Sequence, residues 1–284
     1  MEYSFEFFPA RTAAAEEQLI ETVHRLAPLR PVFVSMTYGA TGSAREASDR
    51  GLRLLLSTPN LNPTAHITIV GQSRAEVDAQ LHSWLELGIR RFVALRGDMP
   101  HMKRPYEPHP QGYRDTPELV AALRKMGAED ISVGCYPEIH PEAASREADL
   151  EHLKRKLEAG ADRAISQFFF NVEDFFRFRD SAVKVGIAHQ IVPGILPLHS
   201  LDKIKSFAAR CGASVPTWVE ERYVGLEDDP ETRSQVAALI TADLCRALQA
   251  EGVEQFHFYT LNRAPMTLAI CRCLALQSRV PEAA

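Results

Sequence analysis

The 284-residue chain contains no run of 18 or more apolar residues, which excludes a helix that crosses a bilayer. It has no excess of basic residues. With 32 Lys and Arg against 37 Asp and Glu, a formal charge of -5, a binder of the nucleic-acid backbone is a poor reading. The five cysteines, Cys135, Cys211, Cys245, Cys271 and Cys273, form no Cys-x-x-Cys pair, and so odd and scattered a set is neither a disulfide framework nor a zinc site. The start, Met1-Glu2-Tyr3-Ser4-Phe5-Glu6, lacks the basic end and apolar stretch of a secretory leader, so the cytoplasm is the expected compartment. Neither G-x-G-x-x-G nor the Walker A pattern occurs, and no Gly/Ser linker or low-complexity segment divides the chain.

What the chain does have is 45% apolar or aromatic residues and a regular alternation, enough for a large buried core. Short runs dense in β-branched and aromatic residues fall at 3–8, 32–38, 66–70, 92–98, 131–136, 164–169, 190–196 and 256–261, and helical spacing fills the gaps. Ser73-Arg74-Ala75-Glu76 reads as a capping box, Asn171 as an N-cap, and Pro117 as a first helical residue. Eight strand-then-helix units predict an α/β fold, a (β/α)8 TIM barrel in a single domain over 1–284. A helical excursion at about 211–251 precedes the last strand. The competing doubly wound sheet would carry a glycine-rich first turn, which is missing. Residues 99–117 hold five prolines and one glycine and read as an ordered loop over the barrel mouth or a plain surface excursion.

In such a barrel the C-terminal strand ends converge on one site. Alternation along the first strand puts Ser4, Glu6 and Phe8 on one side and Tyr3, Phe5 and Phe7 on the other. Glu6 is thus a carboxylate among aromatics, where ionisation is disfavoured; that suits a proton donor, though an ion-paired structural glutamate reads equally well. Asp98 closes the fourth strand after Gly97, where a ligand can approach the backbone, and its plain alternative is a salt bridge to Arg96. Glu138, His140 and Glu142 sit in a segment that Pro137 and Pro141 make a turn rather than a helix, and no metal site is expected. On a helix, Asp149, His152 and Lys156 share a face with Arg155 beside it. Those groups fit a ribose and a diphosphate, or simply complement a helix dipole. Gln167 ends the sixth strand with a donor and an acceptor suited to a heterocycle edge. Phe207 is a packing residue or a stacking platform, and Arg263 a carboxylate ligand or a strand-end cap.

One ordered set of segments goes further. It comprises Ser4-Phe5-Glu6-Phe7-Phe8-Pro9, Val34-Ser35-Met36-Thr37-Tyr38-Gly39, Ala94-Leu95-Arg96-Gly97-Asp98 and Tyr136-Pro137-Glu138-Ile139-His140-Pro141-Glu142-Ala143. It continues with Asp149-Leu150, Leu153-Lys154-Arg155-Lys156, Gln167-Phe168-Phe169-Phe170, Pro193-Gly194-Ile195-Leu196-Pro197 and Phe258-Tyr259-Thr260-Leu261-Asn262-Arg263-Ala264. Together these resemble the methylenetetrahydrofolate reductase family over nearly the whole chain.

The resemblance implies a barrel that holds FAD without a Rossmann motif. The implied reaction is ping-pong hydride transfer from NADH or NADPH through FAD to 5,10-methylenetetrahydrofolate, giving 5-methyltetrahydrofolate for methionine synthesis. Thr37 would lie near the nicotinamide, and Tyr38, His66, Arg96, Gly97, Asp98, Tyr136, His140 and Ala143 around FAD. Asp149, His152, Arg155 and Lys156 would hold its adenosine and diphosphate portions. Glu6 matches the general acid that protonates N10, and Asp98 would stabilise the cationic iminium that follows. Gln167 and Arg263 match folate contacts, and Phe207 an aromatic that packs on either substrate. Two positions depart from the pattern: Lys203 replaces a neutral folate contact, pointing it to the polyglutamate tail, and His152 replaces a neutral amide. The resemblance also implies a homo-oligomer, and the chain's end near Pro281 leads one to expect no regulatory S-adenosylmethionine domain. A related flavin barrel oxidising a small amine, or a barrel that binds folate or flavin without catalysis, is the competing reading.

Overall fold

The computed structural model describes residues 1–39, 42–98, 106–187, 190–197 and 201–277. The strands are β1 (Glu2–Phe7), β2 (Phe33–Met36), β3 (Pro63–Thr68), β4 (Arg91–Leu95), β5 (Asp130–Cys135), β6 (Arg163–Ser166), β7 (Gln190–Val192), β8 (Gly194–Ile195) and β9 (Gln255–Tyr259). All pair in parallel, in the order β7-β6-β5-β4-β3-β2-β1-β9-β8. The two ends of that order are consecutive pieces of chain. The run expected as one strand at 190–196 is divided at Pro193, which has no N–H to give to a ladder. Its first piece pairs with β6 and its second with β9, and the Pro193 carbonyl accepts the His257 N–H at 3.0 Å. The broken seventh stave therefore closes an eight-stave (β/α)8 barrel.

The helices are α1 (Ala13–Leu26), α2 (Gly42–Ser57), α3 (Arg74–Leu87), α4 (Thr116–Lys125), α5 (Arg146–Glu158), α6 (Val172–Lys184), α7 (Leu201–Cys211), α8 (Thr217–Glu221), α9 (Pro230–Ala250) and α10 (Ala264–Gln277). The last two before β9, α8 and α9, form the expected helical excursion. Ser73 and Glu76 make the capping box in full. Asp115 caps α4, so Pro117 stands second rather than first. Asn171 precedes α6, but its side-chain oxygen accepts the Trp218 Nε1–H at 3.0 Å instead of capping.

Strand alternation sorts the core. Phe5, Phe7, Ile67, Phe92, Ala94, Phe256 and Phe258 point outward and pack, with almost no exposure, beneath Leu19, Val23, Leu55, Leu81, Trp84 and Leu123 of the helices. The alternate residues Ser4, Glu6, Ser35, Thr64, His66, Ser132 and His257 face the barrel axis and are also buried. Apolar burial between wall and helices thus holds the fold, and polar side chains are left for the interior.

Candidate active site

The interior-facing ends of β1 to β6 and β9 line a cleft of about 390 Å³ at the barrel mouth. Glu6, 8% exposed, is set into it by the alternation that buries Phe5 and Phe7 on the other side. Its Oε2 lies 3.5 Å from His66 Nε2 and 3.8 Å from His257 Nε2. Burial lowers the His66 pKa to about 4, so that imidazole is neutral near pH 7 and supplies no counter-charge. No Lys or Arg among the described residues pairs with Glu6, whose close neighbours are these two imidazoles. Beneath it the Ser4 hydroxyl meets His257 Nδ1 at 2.9 Å, and the Phe33 ring stacks on the imidazole at 5.7 Å.

Around this carboxyl group the cleft collects Thr37, Tyr38, His66, Arg96, Gly97, Asp98, Tyr136, His140, Gln167 and Phe207, ten of the residues singled out in the sequence. Gly97 has φ 86°, and a Cβ there would come within 2.6 Å of Val70 Cγ1, so only glycine turns the chain past β3 and delivers Asp98 to the cleft. Arg96 turns away from Asp98: it pairs with Glu142 Oε2 at 2.6 Å and lies 4.8 Å over the Tyr106 ring. The Gln167 amide oxygen accepts the Phe168 N–H at 3.1 Å, which leaves its NH2 group as the donor on offer. Phe207 stacks on Phe168 at 5.3 Å with 17° between the planes, presenting a flat apolar wall. Cys135 and Cys211 also line the cleft, and burial pushes their thiols up to about 12 and about 11, so neither is a thiolate nucleophile.

A second cavity of about 430 Å³ shares Leu95, Arg96, Gly134, Tyr136 and His140 with the first, so the two form one elongated space. Its far wall is α5, whose Asp149, His152 and Lys156 face it, together with Ala143 and the loop residues Tyr106, Arg114 and Asp115. Lys156 is buried, its Nζ donating to the Gly134 carbonyl at 2.5 Å, and desolvation lowers its pKa. His152 is held down to about 4 by burial and by Lys156 and Arg155. Its Nδ1 accepts from the Arg155 guanidinium at 2.9 Å, which puts the ring proton on Nε2. Asp149 accepts the His140 N–H at 2.9 Å through one oxygen. Arg155, in contrast, is exposed, bridges to Asp115 at 3.0 Å and does not line the cavity. Two basic side chains, Arg96 and Lys156, with the acidic Asp149 along the same space match what a dinucleotide's diphosphate and ribose require. The donor set therefore fits FAD.

Arg263 is not in the cleft. After β9 the chain turns through Leu261 and Asn262, both at positive φ, and Asn262 is locked to Phe8 by two hydrogen bonds of 2.9 and 2.8 Å. Arg263 is thereby carried to the flank, exposed, in a depression with Gln18, Glu21 and Arg25. The Lys203 side chain lies outside the described residues. Glu138 turns to Ser214, accepting from its N–H and hydroxyl at 2.8 and 2.6 Å, away from His140 and Glu142. Conversely, His257 and Tyr259 were missed, although the alternation that singled out Glu6 places both inward on β9. Tyr259 lines the cleft and donates to the Ser166 carbonyl at 2.7 Å.

Comparison with known proteins adds four findings. A family model described as methylenetetrahydrofolate reductase matches residues 1–275. A 5,10-methylenetetrahydrofolate reductase of Pectobacterium carotovorum subsp. carotovorum is 44% identical over 277 residues, covering 98% of this chain and 91% of the relative. The Escherichia coli (strain K12) protein of the same name is 44% identical over 274 residues, 96% of this chain and 90% of its own. Among solved structures, a Clostridium thermocellum protein described as binding two copies of 5-methyl-5,6,7,8-tetrahydrofolic acid superposes with a TM-score of 0.63 at 13% identity, over 98% of this chain and 96% of that one. At that identity the likeness speaks for the barrel fold alone.

Proposed function

The chain belongs to the methylenetetrahydrofolate reductase family, and from that premise we propose that it reduces 5,10-methylenetetrahydrofolate to 5-methyltetrahydrofolate with NADH or NADPH as donor and FAD as the resident cofactor. The observation that carries the reading is a buried carboxyl group with no Lys or Arg partner among the described residues, set in a cleft continuous with a cavity lined by Arg96, Lys156 and Asp149.

Arg96, Lys156, His152 and Asp149 would hold FAD along the elongated space. When bound, FAD supplies the relay that takes hydride from the nicotinamide and returns it to the folate. The protein's own share begins with Glu6. Set in the cleft beside the His66 imidazole, it would give a proton to N10 of the folate, and that transfer would open the five-membered ring to an N5 iminium. Asp98, at the same mouth, stabilises the positive charge that develops. The Gln167 amide orients the pterin edge, and Phe207 covers the ring and excludes water. Thr37 and Tyr38 line the opposite wall, where the nicotinamide would alternate with the folate.

The test is an anaerobic absorption spectrum of the purified protein after addition of FAD, then NADH, then methylenetetrahydrofolate. A bound flavin band that bleaches with NADH and returns with the folate supports both half-reactions. Failure to take up FAD refutes the cofactor assignment, and a bleached flavin that the folate does not reoxidise refutes the substrate.

A further inference from the structure

One line of interior residues runs below the cleft. Glu6 on β1 is the register partner of Ser35 on β2, Ser35 of Thr64 on β3, Thr64 of Arg91 on β4, and Arg91 of Asp130 on β5. Register partners of parallel strands project to the same side, and Glu6 projects inward, so this polar line lies inside the barrel. At its lower end Arg91 and Arg163 both pair with Asp130, at 2.8 and 2.6 Å, and Arg163 donates to Ser132 Oγ at 3.2 Å. That floor is fully partnered. Between the floor and Glu6 the pairing stops. Ser35 and Thr64 are 0% and 1% exposed, and neither hydroxyl has a hydrogen-bond partner among the described residues. The Nε2 of His66, two residues along β3 from Thr64 on the same face, also lacks one and sits 3.5 Å from the Glu6 carboxyl group.

Three orphaned polar atoms in one patch run against the near-universal pairing of buried polar groups. Neighbouring strands are about 4.8 Å apart, a span one water bridges with two ordinary hydrogen bonds. Buried water takes such places, making about three bonds to groups otherwise unsatisfied. We propose that Ser35, Thr64 and His66 bind an ordered internal water beneath Glu6, and that this water, hydrogen-bonded to the carboxyl group, fixes the orientation from which Glu6 presents its proton to substrate. Ser35 and Thr64 are then positioning residues. No proton passes through them: they only orient the carboxyl group. The inference rests on Glu6 as the acid, and its function in turnover would fall with that assignment, while the water site itself would not.

Thr64→Val removes the hydroxyl at nearly constant shape, and Thr64→Ser keeps it. Two readouts decide: a high-resolution crystal structure of the FAD-loaded protein, and stopped-flow rates of each half-reaction. The wild type should show density within hydrogen-bonding distance of Ser35 Oγ and Thr64 Oγ1, and Thr64→Val should lose it. Loss of a hydrogen bond to the acid's water should slow the folate half-reaction about tenfold, leave reduction by NADH within about twofold, and be reversed by Thr64→Ser. Should Thr64→Val fold poorly, Ser35→Ala makes the same test from β2. Absence of density in the wild type, an unchanged folate half-reaction, or an equal slowing of both half-reactions would each overturn the proposal. If Glu6→Gln leaves folate reduction intact while the density is present, the acid assignment has failed and the water site stands.

Discussion

Replacing Glu6 by Gln separates the proton from the shape of the side chain. Glu6 is 8% exposed, with His66 and His257 beside its carboxyl group, so an amide of the same outline keeps the packing. No Lys or Arg among the described residues is stranded by the change, and neutral Gln is no worse solvated there than a carboxyl group, so the folding free energy should change by less than about 1 kcal/mol. A positioned general acid contributes about 10²- to 10⁴-fold. At 1.36 kcal/mol per decade, the folate half-reaction should therefore lose about 3 to 5 kcal/mol of barrier lowering. Reduction by NADH transfers hydride and asks nothing of this proton, so it should stay within about threefold of wild type. Anaerobic stopped-flow at the flavin band reads the two halves separately on one sample. A Glu6→Gln protein that reoxidises with methylenetetrahydrofolate at the wild-type rate refutes the acid assignment. One that loses both halves equally shows a damaged cleft rather than a missing proton.

Three further outcomes follow from single features. Burial holds His66 near 4 against about 6.5 in an unfolded chain, so between those values the unfolded state binds more protons and stability falls as pH drops through the window, by up to about 3 kcal/mol. Urea midpoints measured from pH 7 to pH 4 should show that fall, and His66→Gln should flatten it; equal slopes would count against a buried neutral imidazole. Lys156 is buried and donates to Gly134, whereas Arg155 is an exposed partner of Asp115. Titration of the apoprotein with FAD should therefore show about 10- to 100-fold weaker binding for Lys156→Met, as expected for a buried charged hydrogen bond. Arg155→Ala should weaken it by no more than about fivefold, and the reverse ranking would refute the placement of α5. A Cβ on Gly194 would stand 2.1 Å from the Ser166 carbonyl and 2.7 Å from the Tyr259 ring, at the seam where β8 closes the barrel. Gly194→Ala should destabilise by about 3 kcal/mol and lower Tm by about 6 °C or more, and an unchanged melting curve would contradict that close approach.

Much of the site was legible because strand alternation is a local signal. In Ser4-Phe5-Glu6-Phe7 the period of two already separates a wall residue from an interior one, and the structure puts Glu6 in the cleft and Phe5 against the helices. The same period on Phe256-His257-Phe258-Tyr259 held His257 and Tyr259 in plain view; aromatic density masked them. Helical spacing likewise set Asp149, His152 and Lys156 on one face. Spacing could not show that Arg155 would choose Asp115, because Asp115 arrives from a loop forty residues earlier. Nor could it show Arg263 swinging to the flank, since that depends on two left-handed residues and on Asn262 being caught by Phe8, 254 positions away.

By itself, then, the sequence determined the quantities that are periodic or local: eight parallel staves, the caps of α3, the inward set on β1, and a family signature in an ordered run of motifs. Tertiary structure alone decided what depends on meeting. The seventh stave breaks at Pro193 so that its halves can reach β6 and β9. Arg96 is taken by Glu142, leaving Asp98 to the cleft. Ser35 and Thr64, unremarkable in any window of sequence, become register partners under a buried acid. The physical reason is common to all three: a side chain's direction follows from its neighbours along the chain, whereas its partner, its desolvation and its charge state follow from what closure of the barrel brings alongside.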